Sequence, residues 1–126
     1  MARLAKASFS KSRRLLNASD YGRVFDSPDA RASHRNLLLL ARANERNEHR
    51  LGLVIAKKHV RLAVDRNRIK RLAREFFRQQ SHTAPGLDVV LLARGGIGEL
   101  DNREVSSILQ QQWQKLLKQF ESTLKD

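Results

Sequence analysis

The chain has no cysteine. Disulfides, a thiolate nucleophile and sulfur-ligated zinc are excluded together, and a reducing compartment fits. Long apolar runs are missing too. The basic start, Met1 to Arg14, is not followed by the apolar stretch of a secretory signal, and nowhere is there a run of about 20 apolar residues for a membrane span. The expectation is a soluble, cytoplasmic protein with no membrane partner. His34, His49, His59 and His82 are scattered, and none is paired at helical spacing with another histidine or a carboxylate. The strands carry Asp88 as their one acid, whereas a two-metal nuclease needs several converging carboxylates. The "GGIG" at 95–98 lacks the strand–GxGxxG–helix context of a phosphate cradle. No catalytic residue and no protein-bound metal or cofactor are expected.

Acids are also scarce: 13 Asp plus Glu stand against 25 Lys plus Arg, for a net charge of +12. Such an excess opposes compaction by self-repulsion and calls for a polyanionic partner. Most of the cations are arginine, whose planar fork suits phosphate oxygens. Nucleic acid leads, and an anionic membrane surface is second. With 126 residues, the chain suffices for one compact domain burying roughly two thirds of its unfolded surface.

Residues 1–16 form a basic segment without a clean period and are expected to be extended or loosely ordered. "NASDYGRVF" (17–25) offers Asn17 or Ser19 as an N-cap and spaces Tyr21, Val24 and Phe25 for a short helix. "SPDA" (27–30) reads as a turn. "NLLLLARA" (36–43) and "RLGLVIAKK" (50–58) are strand-length apolar runs joined by a polar loop, and antiparallel pairing between them is the simplest reading. A helix over roughly 61–81 follows, then a break at "TAPG" (83–86) and a buried strand, "LDVVLLAR" (87–94). From Asp101 to Leu124, Val105, Ile108, Leu109, Trp113, Leu116, Leu117 and Phe120 recur at helical spacing, which predicts a long amphipathic helix on a sheet. Glu99, Asp101 and Glu104 gather at its start, where carboxylates favour the helix dipole. No repeat, low-complexity tract or linker appears, so residues 1–126 read as one α+β domain.

The helix over 61–81 carries the functional signal. At about 100° per residue, Leu62, Ile69, Leu72, Ala73 and Phe76 project to one side. Asn67, Lys70, Arg71, Arg74 and Arg78 project to the other, with Arg66 and Arg68 at its margins. Ordinary solvent faces mix signs. Here Lys70–Arg74 and Arg74–Arg78 are like-charged i,i+4 pairs, each costing about 0.2–0.5 kcal/mol. Asp65 and Glu75 are their only offset, while Lys57 and Lys58 add further cations just upstream. A helix that weakens itself in this way implies an anionic partner rich in phosphate, and Asn67 adds a neutral donor and acceptor able to touch a base edge or 2′-hydroxyl.

"LGLVIAKKHVRLAVDRNRIKRLAREFFR" (51–78) resembles the signature of the protein subunit of bacterial ribonuclease P, in its proteobacterial form: an LGL-x-x-x-KK strand, a short linker, then RNR-x-KR-x-x-R-E on a helix. The resemblance extends to Phe9, "RLL" (14–16), "DYGRVF" (20–25) and "DVVLLAR" (88–94). It implies a small α-β sandwich, a central sheet of about four strands with three helices, and a left-handed βαβ crossover through the basic helix. It also implies partnership with the catalytic RNA of ribonuclease P and with the 5′ leader of precursor tRNA. The RNA, with bound Mg²⁺, would remove the leader, and the protein would assist. Matched by position, Arg66, Asn67, Arg68, Lys70, Arg71 and Arg74, with Lys57 and Lys58, would contact the catalytic RNA. Tyr21, Phe25 and Phe9 would line the leader cleft over a floor of alternate strand side chains, Leu53 and Ile55. The Trp113 ring fits the core stripe and is expected to be structural.

Two rivals remain. A ribosomal-type or general RNA chaperone would bind with the same charge but have no attached catalysis. A DNA-binding regulator fits less well, since no scaffold helix precedes the basic one at helix-turn-helix spacing.

Overall fold

The computed structural model describes residue 14 and residues 18–46, 48–80 and 86–125. The expectations for Phe9, for Asn17 as a cap and for the basic segment before Arg14 lie outside these residues. The described chain forms α1 (Ala18–Asp26), β1 (Ala30–Ser33), β2 (Leu37–Ala43), β3 (Arg50–Val54), α2 (Ala63–Arg78), β4 (Leu87–Ala93), a 3₁₀ turn (Ile97–Glu99) and α3 (Asn102–Lys125). Ser19 is inside the first turn of α1 and so is not its cap.

The sheet order is β1-β2-β4-β3. β2 and β3 run in opposite directions, as expected, but they are not neighbours. β4 lies between them, antiparallel to β2 and parallel to β3. The reason is burial. Leu87 to Leu91 are buried without alternation, so β4 needs cover on both faces and takes an inner position, whereas β3 alternates less apolar residues and sits at an edge. β3, α2 and β4 thus form the expected crossover through the basic helix between adjacent parallel strands. β1, "ARAS", is a fourth strand that the apolar pattern does not announce: only Ala30 and Ala32 of it face the core.

Strand alternation divides the core in two. Leu37, Leu39, Leu51, Leu87, Val89 and Leu91 point to the face covered by α2 and α3, where Ile69, Ala73, Phe77, Leu109, Trp113 and Leu116 complete the main core. Phe77 and Trp113 meet edge to face with ring centroids 5.0 Å apart, clamping α2 to α3. The tryptophan is structural, as expected. The opposite phase of the strands presents Leu40 and Val90 to Val24 of α1, with Tyr21, Leu38, Val54 and Leu92 partly buried around them.

A polar network seats α1. Arg50 on β3 pairs in register with Asp88 on β4. Its Nε and Nη2 donate to the two carboxylate oxygens at 2.8 and 2.7 Å, and Nη2 also lies 3.7 Å from Oδ1 of Asp20 on α1. The hydrogen bond to Asp88 raises the Arg50 pKa, against the opposing effect of burial. Asn44 donates a further bond to Asp88 at 2.8 Å. Side chains bond to both sheet edges, and on β3 Arg14 adds an isolated parallel bridge to Leu51. The Leu53 N–H donates to the Tyr21 hydroxyl at 3.1 Å. On β1, the Gln119 amide accepts from the Arg31 N–H at 2.9 Å and donates back to its carbonyl.

Two glycines are fixed by geometry. A Cβ at Gly86 would stand 2.4 Å from the Glu48 carbonyl oxygen, so nothing larger fits where the β2–β3 turn meets β4, and Gly96 adopts φ +89° before the 3₁₀ turn. Asp101 and Glu104 exchange backbone-to-carboxylate bonds at 3.0 and 2.8 Å, a capping box that gives these acids the structural role expected of them. Among the described residues no helix is long and apolar enough to cross a membrane.

Replacing Arg50 with Met should strand Asp88 and cost about 3–5 kcal/mol in urea unfolding. The double change Arg50→Met with Asp88→Leu should recover most of that loss. If the double variant is as unstable as the single one, packing rather than charge pairing holds this corner.

Candidate nucleic-acid interface

The outer wall of α2 is set by what its inner wall must bury. Ile69, Ala73 and Phe77 are its buried residues, with Leu72 and Phe76 packed beside them. The stripe is turned slightly from the expected one, and Phe77 rather than Phe76 goes deepest because α2 packs on α3 as well as on the sheet. Leu62 does not join it. It caps the helix from an extended conformation and is 57% exposed, so the helical projection does not apply to it.

With the inner wall fixed, Asn67 and Arg71 are exposed, and Lys70, Arg74 and Arg78 are half-exposed. Among the described residues none of these cations has a carboxylate partner. Lys57, Lys58 and Arg61 are exposed on the turn leading into the helix, extending the cationic surface towards β3. This wall brings together most of the residues predicted from the sequence.

Two of them are partly spent inside the protein. Arg68 donates to the Gly98 carbonyl at 3.0 Å and to Asn102 Oδ1 at 2.9 Å, and it pairs with Asp65 at 3.5 Å. It therefore ties α2 to the start of α3, and its side chain is only 20% exposed. Arg66 donates from Nη1 to the carbonyls of Val60 and Arg61, both at 2.9 Å, closing the turn before the helix. Sequence spacing gives no sign of these bonds, because their acceptors are backbone carbonyls and an asparagine brought in by the fold.

A second surface lies beside α1. Tyr21 and Phe25 share one flank of the helix at i,i+4, above the sheet face that carries Leu38, Val54 and Leu92. Phe25 is 42% exposed. Tyr21 is half-buried and oriented by its bond from Leu53 N–H. The expected floor needs correction. Leu53 and Ile55 pack against the main core under α2 and α3, so the sheet separates them from the aromatic flank. Strand phase decides this: Leu51 and Leu53 point one way, Gly52 and Val54 the other. The floor is Val54 of β3 with Leu38 and Leu92 from the neighbouring strands. Phe9 lies outside the described residues.

Two of the histidines have structural partners. His49 is buried, accepts from the Leu87 N–H at 2.9 Å and meets Trp113 edge to face. His34, expected to be polar or to face nucleic acid, is half-buried and accepts the Asn36 N–H on Nδ1 at 3.0 Å. Burial, then Arg35 and Lys115, lowers its pKa. Among the described residues no group of three or more His, Asp or Glu is placed to hold a metal ion.

With the basic wall and the aromatic flank in place, similarity to known proteins becomes decisive. The family model "Ribonuclease P" matches residues 9–119. The chain belongs to the ribonuclease P protein family. It acts in tRNA 5′ processing as an RNA-binding subunit of that nuclease. The ribonuclease P protein component of Marinobacter nauticus is 47% identical over 119 residues, spanning 94% of this chain and 89% of that one. The one from Pseudomonas aeruginosa is 46% identical over 115 residues, spanning 91% and 85%. Among solved structures, the ribonuclease P protein of Staphylococcus aureus superposes with a TM-score of 0.74 at 25% identity, covering 82% of this chain and 94% of that chain. The Thermotoga maritima protein gives 0.66 at 28% identity, covering 79% and 94%. The small α+β fold expected from the resemblance is thus the fold of the ribonuclease P proteins.

Within that frame the two flanking arginines should behave differently from the outer ones. Arg68→Ala removes bonds from Gly98 and Asn102 and should cost about 1–3 kcal/mol in urea unfolding. Arg71→Ala should stay within about 0.5 kcal/mol of the parent. Equal losses would mean that Arg68 does not tie α2 to α3.

Proposed function

We propose that the outer wall of α2 docks on the catalytic RNA of ribonuclease P, and that the sheet face beside α1 receives the 5′ leader of precursor tRNA. The observation that carries the reading is a helix whose apolar side is consumed by the core while Lys70, Arg71, Arg74 and Arg78 stand outward without carboxylate partners. Guanidinium forks on that wall supply paired donors to phosphate oxygens, and Asn67 sits among them as a neutral donor and acceptor. A surface making 6–10 phosphate contacts loses roughly 10³–10⁵ in affinity between 50 and 200 mM salt.

The α1 flank supplies a different chemistry. Stacking on an aromatic ring is worth about 1–3 kcal/mol per base and accepts any base, which suits leaders of varied sequence. Phe25 offers an exposed ring, and Val54, Leu38 and Leu92 offer apolar contact beneath it. Arg68 and Arg66 serve mainly to hold the basic helix in place for docking.

Leader hydrolysis falls to the RNA, with its Mg²⁺ supplying the activated water and charge neutralisation. The protein's own acids do not fit such a centre: Asp20 and Asp88, which line one recess, are both engaged by Arg50. Its part is to orient the leader and to screen phosphate repulsion between two RNAs, in the cytoplasm where precursor tRNA is made.

The direct test is reconstitution. Purified protein, added to a bacterial catalytic RNA and precursor tRNA in moderate Mg²⁺, should restore cleavage at the mature 5′ end, and protein without RNA should cleave nothing. RNA binding with no preference for precursor over mature tRNA would instead favour a general chaperone. On the cleft, Phe25→Ala should weaken precursor binding by about 5- to 150-fold, the equivalent of about 1–3 kcal/mol, and leave mature tRNA unchanged. Equal losses on both tRNAs would remove Phe25 from the leader cleft.

A further inference from the structure

A second recess beside α1 is lined by neither Tyr21 nor Phe25. This recess is an open cavity of about 330 Å³ bounded by Arg23, Arg42, Arg46 and Arg50 together with the acids Asp20, Glu45 and Asp88. The two halves of the sheet face differ in chemistry because the cross-strand rows differ. Leu38, Leu92 and Val54 align on one side of α1, and Arg42, Asp88 and Arg50 align on the other.

Four arginines and three carboxylates line the recess, an excess of one positive charge. Arg50 is neutralised by Asp88, and Asp20 is shared between Arg50 at 3.7 Å and Arg23 at 3.4 Å. Among the described residues Arg42 and Arg46 have no carboxylate partner. Arg42 donates one bond from Nη1 to the Arg23 carbonyl at 3.2 Å, which aims its guanidinium across the end of α1 and leaves its other donors free. The backbone of Arg46, whose side chain is exposed, is bonded on both sides. Its N–H is bonded to Asn44 Oδ1 at 2.8 Å, its carbonyl accepts from Gly86 N–H at 2.9 Å, and Gly86 has no space for a side chain. Arginines that line one concave, polar recess repel one another unless an anion joins them.

We propose that this recess is a second phosphate site, seating a phosphodiester of bound RNA between Arg23, Arg42 and Arg46. The assignment rests on the chain acting as an RNA-binding subunit, but it uses no residue of the α2 wall or the aromatic flank. Arg50 acts here as a positioning residue, holding Asp20 and Asp88 away from the anion. Guanidinium pairs favour an oxyanion that takes two parallel bonds, so a phosphate group is preferred to a monodentate anion.

The first test uses the full-length protein and inorganic pyrophosphate as the probe. The arginine side-chain N–H signals of Arg23, Arg42 and Arg46 should shift saturably. Arg23→Gln with Arg46→Gln should weaken that response about tenfold, and Arg71→Gln should leave it in place. Signals that stay still, or that move no more than that of Arg71, overturn the site. The second test measures salt dependence of binding to the catalytic RNA and, separately, to a single-stranded leader oligonucleotide. The same double variant should lower the slope by about one unit of log affinity per log salt, one phosphate's worth, for one of the two RNAs. The RNA that loses slope identifies the strand seated there. Unchanged slopes on both overturn the proposal. An error in the α2 assignment would show instead as an unchanged slope for Arg71→Gln, with the pyrophosphate response intact.

Discussion

The seating of α1 on the sheet depends on one half-buried arginine. Arg50 reaches from the edge strand β3 to Asp88 on the inner strand β4 and to Asp20 on α1, joining three elements that have no sequence proximity. A guanidinium in this position has lost most of its water, so the pair is stable only because two donors meet two carboxylate oxygens head on and Asn44 occupies a further lone pair. The apolar cluster beneath α1 is small: Val24, Leu40 and Val90 are its buried members. Such a cluster holds a nine-residue helix near the sheet but leaves its rotation free. The polar contact at Asp20 fixes that rotation, and with it the flank on which Tyr21 and Phe25 stand.

The other face works by excess rather than by precision. Phe77, Trp113, Ile69 and Leu109 are almost wholly buried, each contributing about 1.5–3 kcal/mol relative to exposure. Like-charged pairs along the outside of α2 cost only a few tenths each. The core therefore outweighs the repulsion several times over, and the helix can carry cations densely without unfolding. The carboxylates are used elsewhere, at the capping box of α3, beside Arg50 and at Asp65, so that few remain to dilute the basic wall.

These same forces decide how much could be read from the residues alone. The long stripe of α3 and the two-faced composition of α2 were legible because a 3.6-residue period is written directly in apolar spacing. Strands β2, β3 and β4 were legible as segments, but not their order, since pairing is chosen by which strand must be covered on both sides. β1 was hidden because two alanines are enough to bury a short edge strand. Leu53 and Ile55 were placed on the wrong face because the phase of a strand depends on which neighbours flank it, and a one-residue shift exchanges the faces. Arg68 falls at the margin of the outer side in a helical projection, which gives no sign of its internal bonds, because its acceptors on Gly98 and Asn102 are far away in sequence and come near only when α3 docks. The cationic wall was legible for the opposite reason, because surplus charge has no internal partner to conceal it.

The placement of Tyr21 links the fold to the proposed use of the cleft. Its hydroxyl accepts the otherwise open N–H of Leu53, so the ring is oriented by the edge of the sheet before any ligand arrives. An aromatic side chain immobilised in advance does not lose further rotamer freedom on contact, which lowers the entropic cost of binding. The bond also closes the strand edge to another chain. One hydrogen bond thus serves stability and recognition together. Phe25 has no comparable tether and keeps its ring in solvent, so the flank combines a fixed ring with an adjustable one. In the proposed use, the fixed ring would set where a single strand lies and the adjustable ring would accommodate whichever base is there.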